Sequence, residues 1–327
     1  MTFLIQQTLI YSIPLLIVAI AGVFSERSGI INIALDGMMI FGAFVGSLVT
    51  YFFVTSNVLM GSKQLVFIIA MLCSAISGAL ISLLLSFSSI KMKADQTIGG
   101  TALNLLAPAL VLFFIVMFFH QNSLNIPKGA AGLFILFSPT DLGVIGNAFF
   151  DKVYISTYIV IALYIALSIL LYKTKFGLRL RACGEHPQAA DSLGVNVYKM
   201  RYLGVTISGA LAGLGGFIYV VTTADGSVTG SVQGFGFLAL AIMIFGNWKP
   251  GGIALGALLF GLLKCISASY DTLDIFNNGV YIFRELGISP YIYNMIPYIT
   301  TLAVLALTSK RSRAPKAEGV PYNKGMR

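Results

Sequence analysis

The chain has 327 residues, 57% of them apolar and 10% charged, with a mean hydropathy of +0.89 and a formal net charge of +9. Soluble domains carry about 25% charged residues, so this composition excludes a soluble fold. Its long continuous apolar runs exclude a transmembrane barrel, whose strands alternate over short segments. What remains is an all-α, polytopic bundle of transmembrane helices.

Charge-free runs cover residues 2–25, 37–62, 64–90, 96–121, 153–172, 202–224, 226–248, 250–263 and 286–309. A crossing takes about 20 residues. The runs therefore give about nine spans, in a range of eight to ten. Residues 1–25 have no Lys or Arg ahead of their apolar stretch and read as a first span rather than a leader. Residues 233–270 hold one span or two. There Trp248-Lys249-Pro250-Gly251-Gly252 reads as a turn between helices, with Lys264 inside the second and snorkelling toward an interface.

The basic residues set the orientation. With residues 173–203 placed in the cytoplasm, 16 of the 21 Lys and Arg fall on the cytoplasmic side. The expected arrangement is N-terminus out and C-terminus in. The transmembrane domain is then 1–309, followed by a basic cytoplasmic tail, 310–327, that reads as disordered beside the anionic leaflet. Outside segments at 121–152 and 270–290 read as partly interfacial. Nucleic-acid binding is disfavoured because the charge is split among loops.

Polar residues inside such a chain are candidate functional positions. One helix from Ser28 to Ser62 would run roughly 50 Å, too long for a core of about 30 Å. A break is expected at Asn32, Asp36 and Gly37, and Asp36 has a plain reading as N-cap of a helix starting at Gly37. Asn32, Asp36, Gly37 and Asn104 are the candidates for a translocation path. Asn104 also reads as a helix-to-helix hydrogen-bonding residue.

Residues 173–203 carry six Lys/Arg against two acids, Glu185 and Asp191. Pro187 suits a first helical turn, Glu185 favours the positive end before it, and Gly194 suits a stop. The spacing predicts a helix of about seven residues with Ala189, Ala190 and Leu193 on one side. Such a helix either docks a partner or lies on the membrane.

Cys73, Cys183 and Cys265 form no disulfide framework, and His120 and His186 are far apart, so no metal site is expected. No catalytic arrangement and no Walker A loop is present. Any ATPase must be another subunit. A weak echo between residues 77–85 and 255–263 suggests duplicated halves. The pairs Gly42/Gly46, Gly209/Gly213 and Gly252/Gly256 suggest close helix packing. A secondary transporter would need a coupling-ion site, yet intramembrane charge is limited to Asp36 and Lys264.

Two motifs carry a family resemblance. Residues 26–39 read ERSGIINIALDGMM, similar to ERSGVVNIGLEGMM, with Ala34 for Gly and Asp36 for Glu. Residues 177–190 read GLRLRACGEHPQAA, similar to GLRLRAVGENPKAA, with His186 for Asn. The chain resembles permease subunits of bacterial ABC importers for simple sugars, nucleosides and branched-chain amino acids, and is most like the nucleoside type. The resemblance implies a multi-pass protein of the bacterial cytoplasmic membrane, without enzymatic activity of its own. It implies three protein partners: an ABC ATPase holding ATP and Mg, a second permease subunit, and an extracytoplasmic substrate-binding protein. No cofactor is expected in this chain. Gly184, Glu185, His186, Pro187, Ala189, Ala190, Leu193 and Gly194 would couple it to the ATPase.

Overall fold

The computed structural model describes residues 2–58, 60–127, 134–135, 153–271, 283, 287, 289–308 and 313–324. Helix dominates. The α-helices are α1 (Thr2–Glu26), α2 (Leu35–Thr55), α3 (Lys63–Ser86), α4 (Gln96–Phe119), α5 (Ile155–Lys173), α6 (Lys175–Glu185), α7 (Pro187–Ser192), α8 (Val197–Thr222), α9 (Phe235–Phe245), α10 (Pro250–Ser269) and α11 (Pro290–Thr308). A two-residue antiparallel pair, β1 (Leu124–Asn125) and β2 (Ser227–Val228), ties the chain after α4 to the chain after α8.

Among the described residues, seven helices are long and apolar enough to cross a membrane: α1 to α5, α8 and α10. The ambiguous stretch resolves into α9 and α10, joined by the turn at Asn247 and Trp248, both with positive φ. With 11 residues, α9 is about 16 Å long, half a bilayer core. The segments 121–152 and 270–290, expected on the outer side, lie largely beyond the described residues.

Hydrophobicity does not select the helix partners here, because lipid is as apolar as Leu; close backbone packing does. Helix α8 is the buried centre. A Cβ at Gly42 of α2 would collide with the backbone of Gly213 on α8, and one at Gly78 of α3 with the Gly209 carbonyl. The Ser74 hydroxyl donates to the Gly213 carbonyl at 2.6 Å. Helices α2 and α3 thus touch α8 backbone to backbone, and α1 meets α10 where the Ser12 side chain fills the space beside Gly261. Leu72, Ile76 and Leu80 of α3 and Leu105 and Phe113 of α4 point outward, giving the bundle an apolar exterior.

The expected break between the first two spans lies at residues 27–34. Helix α1 ends at Glu26, Gly29 turns the chain at φ +95°, and α2 begins at Leu35. Gly29 lies against the Arg201 guanidinium near the start of α8, while the Asn32 amide donates to Ser208 Oγ at 2.9 Å. Seven helical residues on α8 rise about 10 Å, the span of three extended residues. The chain therefore climbs into the bundle before α2 starts. Asp36 does not cap α2, as the sequence suggests. Ala34 holds the cap position without a side-chain bond, and Asp36 sits inside the first turn.

The tail also departs from expectation. Residues 313–324 are packed rather than disordered. The Ala317 N–H donates to the Gly184 carbonyl at 2.9 Å, the Gly319 N–H to Gly29 at 3.3 Å, and Arg201 Nη1 to Val320 at 3.0 Å. Tyr322 meets Tyr198 edge-on, with ring centroids 5.2 Å apart. The Arg313 N–H donates to the Asn247 side chain at 2.8 Å. Backbone amides and one buried guanidinium recognise this segment, and neither leaves a compositional trace.

Candidate coupling hairpin and interior junction

The basic loop folds into two short helices. Thr174 caps α6 by accepting from the Gly177 N–H at 3.2 Å, and Asn196 caps α8 by accepting from the Lys199 N–H at 3.0 Å. Between them Pro187 starts α7. Leu193 ends it as C-cap, and Gly194 at φ +81° turns the chain away. The amphipathic helix α6 has no counterpart in the sequence reading, which treats that stretch as loop.

Gly184 is buried, with the Arg27 backbone where a Cβ would stand. The Glu185 carboxylate pairs with Arg27 Nη1 at 3.4 Å. This places the 26–29 motif directly beneath the hairpin. His186, Gln188, Ala189, Ser192, Leu193 and Gly194 are exposed, Leu193 at 86%. Pro187 and Ala190 are buried against the bundle. The single apolar face read from the sequence, Ala189 with Ala190 and Leu193, is therefore split: Ala190 anchors the helix, while Ala189 and Leu193 face away. Beside α7 a cavity of about 350 Å³ is lined by Asp191, Gly194 to Tyr198, and Lys324.

Glu26 lies on the same end of the bundle, at the last residue of α1. Its Oε2 accepts from the Trp248 indole N–H at 2.5 Å. The Glu318 carboxyl from the tail faces it, and burial pushes the Glu318 pKa up to about 7, against the pull of the neighbouring Arg27.

Asn32, Asp36, Gly37 and Asn104 do converge, at an interior junction of α2, α4, α8 and α9. Asn104 Oδ1 accepts from the Gly37 N–H at 2.8 Å, and its Nδ2 donates to the Ile33 carbonyl at 2.9 Å. One amide thus satisfies both sides of the chain break, as a buried break requires. Asn32 is fully buried and donates to Ser208, so it fastens the segment to α8 rather than facing an opening.

Asp36 Oδ1 accepts from the Gly236 N–H at 2.9 Å, and the Phe237 N–H also donates to the carboxylate. It caps α9, a helix 200 residues further along the chain. Gly236 is required there, because a Cβ would occupy the Asp36 backbone. The first turns of two helices meet at this carboxylate, which complements the positive end of α9.

Three further residues stand beside this junction without a sequence signal tying them together: Gln233, Lys264 and Tyr298. The Tyr298 hydroxyl donates to the Gln233 carbonyl at 3.3 Å and lies 3.5 Å from Lys264 Nζ.

Residues 4–305 match the family described as the permease component of branched-chain amino acid transport systems. The guanosine ABC transporter permease protein NupQ of Bacillus subtilis is 40% identical, over 100% of this chain and 98% of that protein. The nucleoside ABC transporter permease protein NupC of Lactococcus lactis is also 40% identical, over 98% and 96% of the two chains. The glucose permease TsgC13 of Haloferax volcanii, so named putatively, is 30% identical over 99% and 98%. No solved structure matches.

Proposed function

Because the chain belongs to the permease family of branched-chain amino acid transport systems, we infer that it is the membrane-spanning permease subunit of an ABC importer of nucleosides. The observation that carries this is the 40% identity, over essentially whole chains, to permeases of guanosine and nucleoside transporters. The sugar permease of similar length stands lower, at 30%.

The geometry fits the role. The hairpin of α6 and α7 projects an exposed surface at one end of the bundle, and its base is held by Gly184, Glu185 and the 26–29 motif. We assign that surface to the ABC ATPase, which would bring the ATP and Mg; Leu193 and Ala189 form its exposed apolar contact. The hairpin end is cytoplasmic, since the basic residues of 173–203 and of the tail gather there. This makes the chain N-out and C-in, with α9 and α11 completing nine membrane-inserted helices.

Helices α2 and α9 each begin at the interior junction, so α2 to α4 and α9 to α11 stand as the duplicated halves. Discontinuous helices meeting inside a membrane are a common way to build a solute path. The path runs beside Asp36 and Asn104, between this chain and a second permease subunit. An extracytoplasmic binding protein would deliver the nucleoside, and the location is the bacterial cytoplasmic membrane.

The test is uptake of radiolabelled guanosine by cells expressing the transporter, with and without this chain. Loss of ATP-dependent nucleoside uptake without it supports the reading. Unchanged nucleoside uptake with loss of sugar or amino acid uptake overturns the substrate class.

A further inference from the structure

Lys264 is the only lysine or arginine within an apolar run of the sequence, and it does not snorkel as the sequence suggests. It stands 14 residues from Pro250 and five from Ser269 on α10, about 21 Å and 8 Å from the two ends. Snorkelling would send its ammonium toward the nearer end. Instead Nζ lies 5.2 Å from the Phe235 ring centroid, at the start of α9, and 5.2 Å from that of Tyr298. Helical side chains lean toward their own N-terminus, and here that lean carries the cation inward.

The ammonium has three donors. Among the described residues it meets one hydroxyl, at 3.5 Å, and two aromatic faces. Among the described residues no carboxylate pairs with it. On a lipid-facing surface such a charge is costly, and residues of this kind face the bundle interior or a water-filled cavity. The surroundings open outward from the chain: Tyr298 is 46% exposed, and Gln233 is exposed. A cation and a phenol thus meet at one open face, with the exposed Gln233 next to them, beside the Asp36 junction.

On the strength of the nucleoside-permease reading, we propose that Gln233, Lys264 and Tyr298 form the wall of the translocation path that contacts the nucleoside. The chemistry suits that solute. A purine or pyrimidine offers a flat face to Tyr298, and its ring nitrogens and carbonyls accept from the Lys264 ammonium. Ribose hydroxyls match the Gln233 amide. A neutral ligand of this kind satisfies the cation without trapping itself in an ion pair, so it is released again.

The assembled transporter, with its ATPase and binding protein, tests this in two ways. Lys264→Met and Tyr298→Phe should raise KM for guanosine uptake about 10-fold with a smaller change in kcat, and Lys264→Arg should recover part of the loss. Lys264→Cys should react with a membrane-impermeant thiol reagent, and guanosine should protect it. Leu255→Cys, on the exposed side of the same helix, should show no protection. A wild-type KM for Lys264→Met, or labelling of Lys264→Cys that guanosine leaves unchanged, overturns the proposal. If the wild type instead imports another solute, the nucleoside reading fails, and protection by that solute still decides whether Lys264 lines the path.

Discussion

Glu26 and Trp248, 222 residues apart, are joined by a buried hydrogen bond of 2.5 Å that pins the end of α1 to the turn after α9. Trp248→Phe leaves the carboxyl without its donor. The expected loss is about 1–3 kcal/mol, seen as a lower apparent Tm in detergent. Glu26→Gln keeps an acceptor and should lose less. A larger loss for Glu26→Gln than for Trp248→Phe would mean that the charge, not the bond, matters.

The Asp36 cap separates charge from hydrogen bonding. Asp36→Asn retains an oxygen for the Gly236 and Phe237 amides and should stay near the parent in stability. Asp36→Ala removes the cap at a cost of about 1–2 kcal/mol. Thermal unfolding of both variants, alongside uptake, makes the comparison.

At the hairpin, Glu185 is 41% exposed in its pair with Arg27. Such a pair contributes less than about 1 kcal/mol, so Glu185→Gln should be mild. Gly184→Ala forces the hairpin off the Arg27 backbone. It should reduce ATPase co-purification far more than Glu185→Gln does, in a membrane-inserted, folded permease.

Tail docking should depend on pH. With the Glu318 pKa raised from 4.5 to about 7 in the docked state, the docked tail holds a proton that the free tail releases. Docking is then tightest below pH 4.5, weakens as pH rises through 4.5 to 7, and is flat above that. Hydrogen exchange of residues 313–324 across that window measures it. Glu318→Gln should keep the tail docked and weaken the dependence.

The small-residue contact predicts overpacking. Gly213→Ala places a methyl against Gly78 and the Ser74 carbonyl, at about 1–3 kcal/mol. Lower yield and a lower apparent Tm should follow, whereas exposed Leu80→Ala should have a smaller effect.

The helical class, the broken second span and the short helix α7 were legible in the sequence because each leaves a local mark: an apolar run, Asn and Asp where a helix is too long, Pro and Gly around a basic loop. Asp36 was found but given the wrong helix, since a cap is read from neighbours in sequence and its partner lies at Gly236. Lys264 stood out only as a charge in an apolar run. Its direction depends on Phe235 and Tyr298, which other helices supply. The tail looked disordered because composition reports charge and hydropathy, not the backbone bonds that seat it.

The glycine seam through α2, α3 and α8 has a mechanical consequence. Backbones in direct contact leave no side-chain cushion that could reshape during sliding, so these three helices turn as one solid body. Any opening and closing of the subunit then falls to the helices outside the seam. Pairs of spectroscopic labels within the triad should keep a constant separation through the transport cycle. Pairs linking it to α4 or α11 should report the stroke.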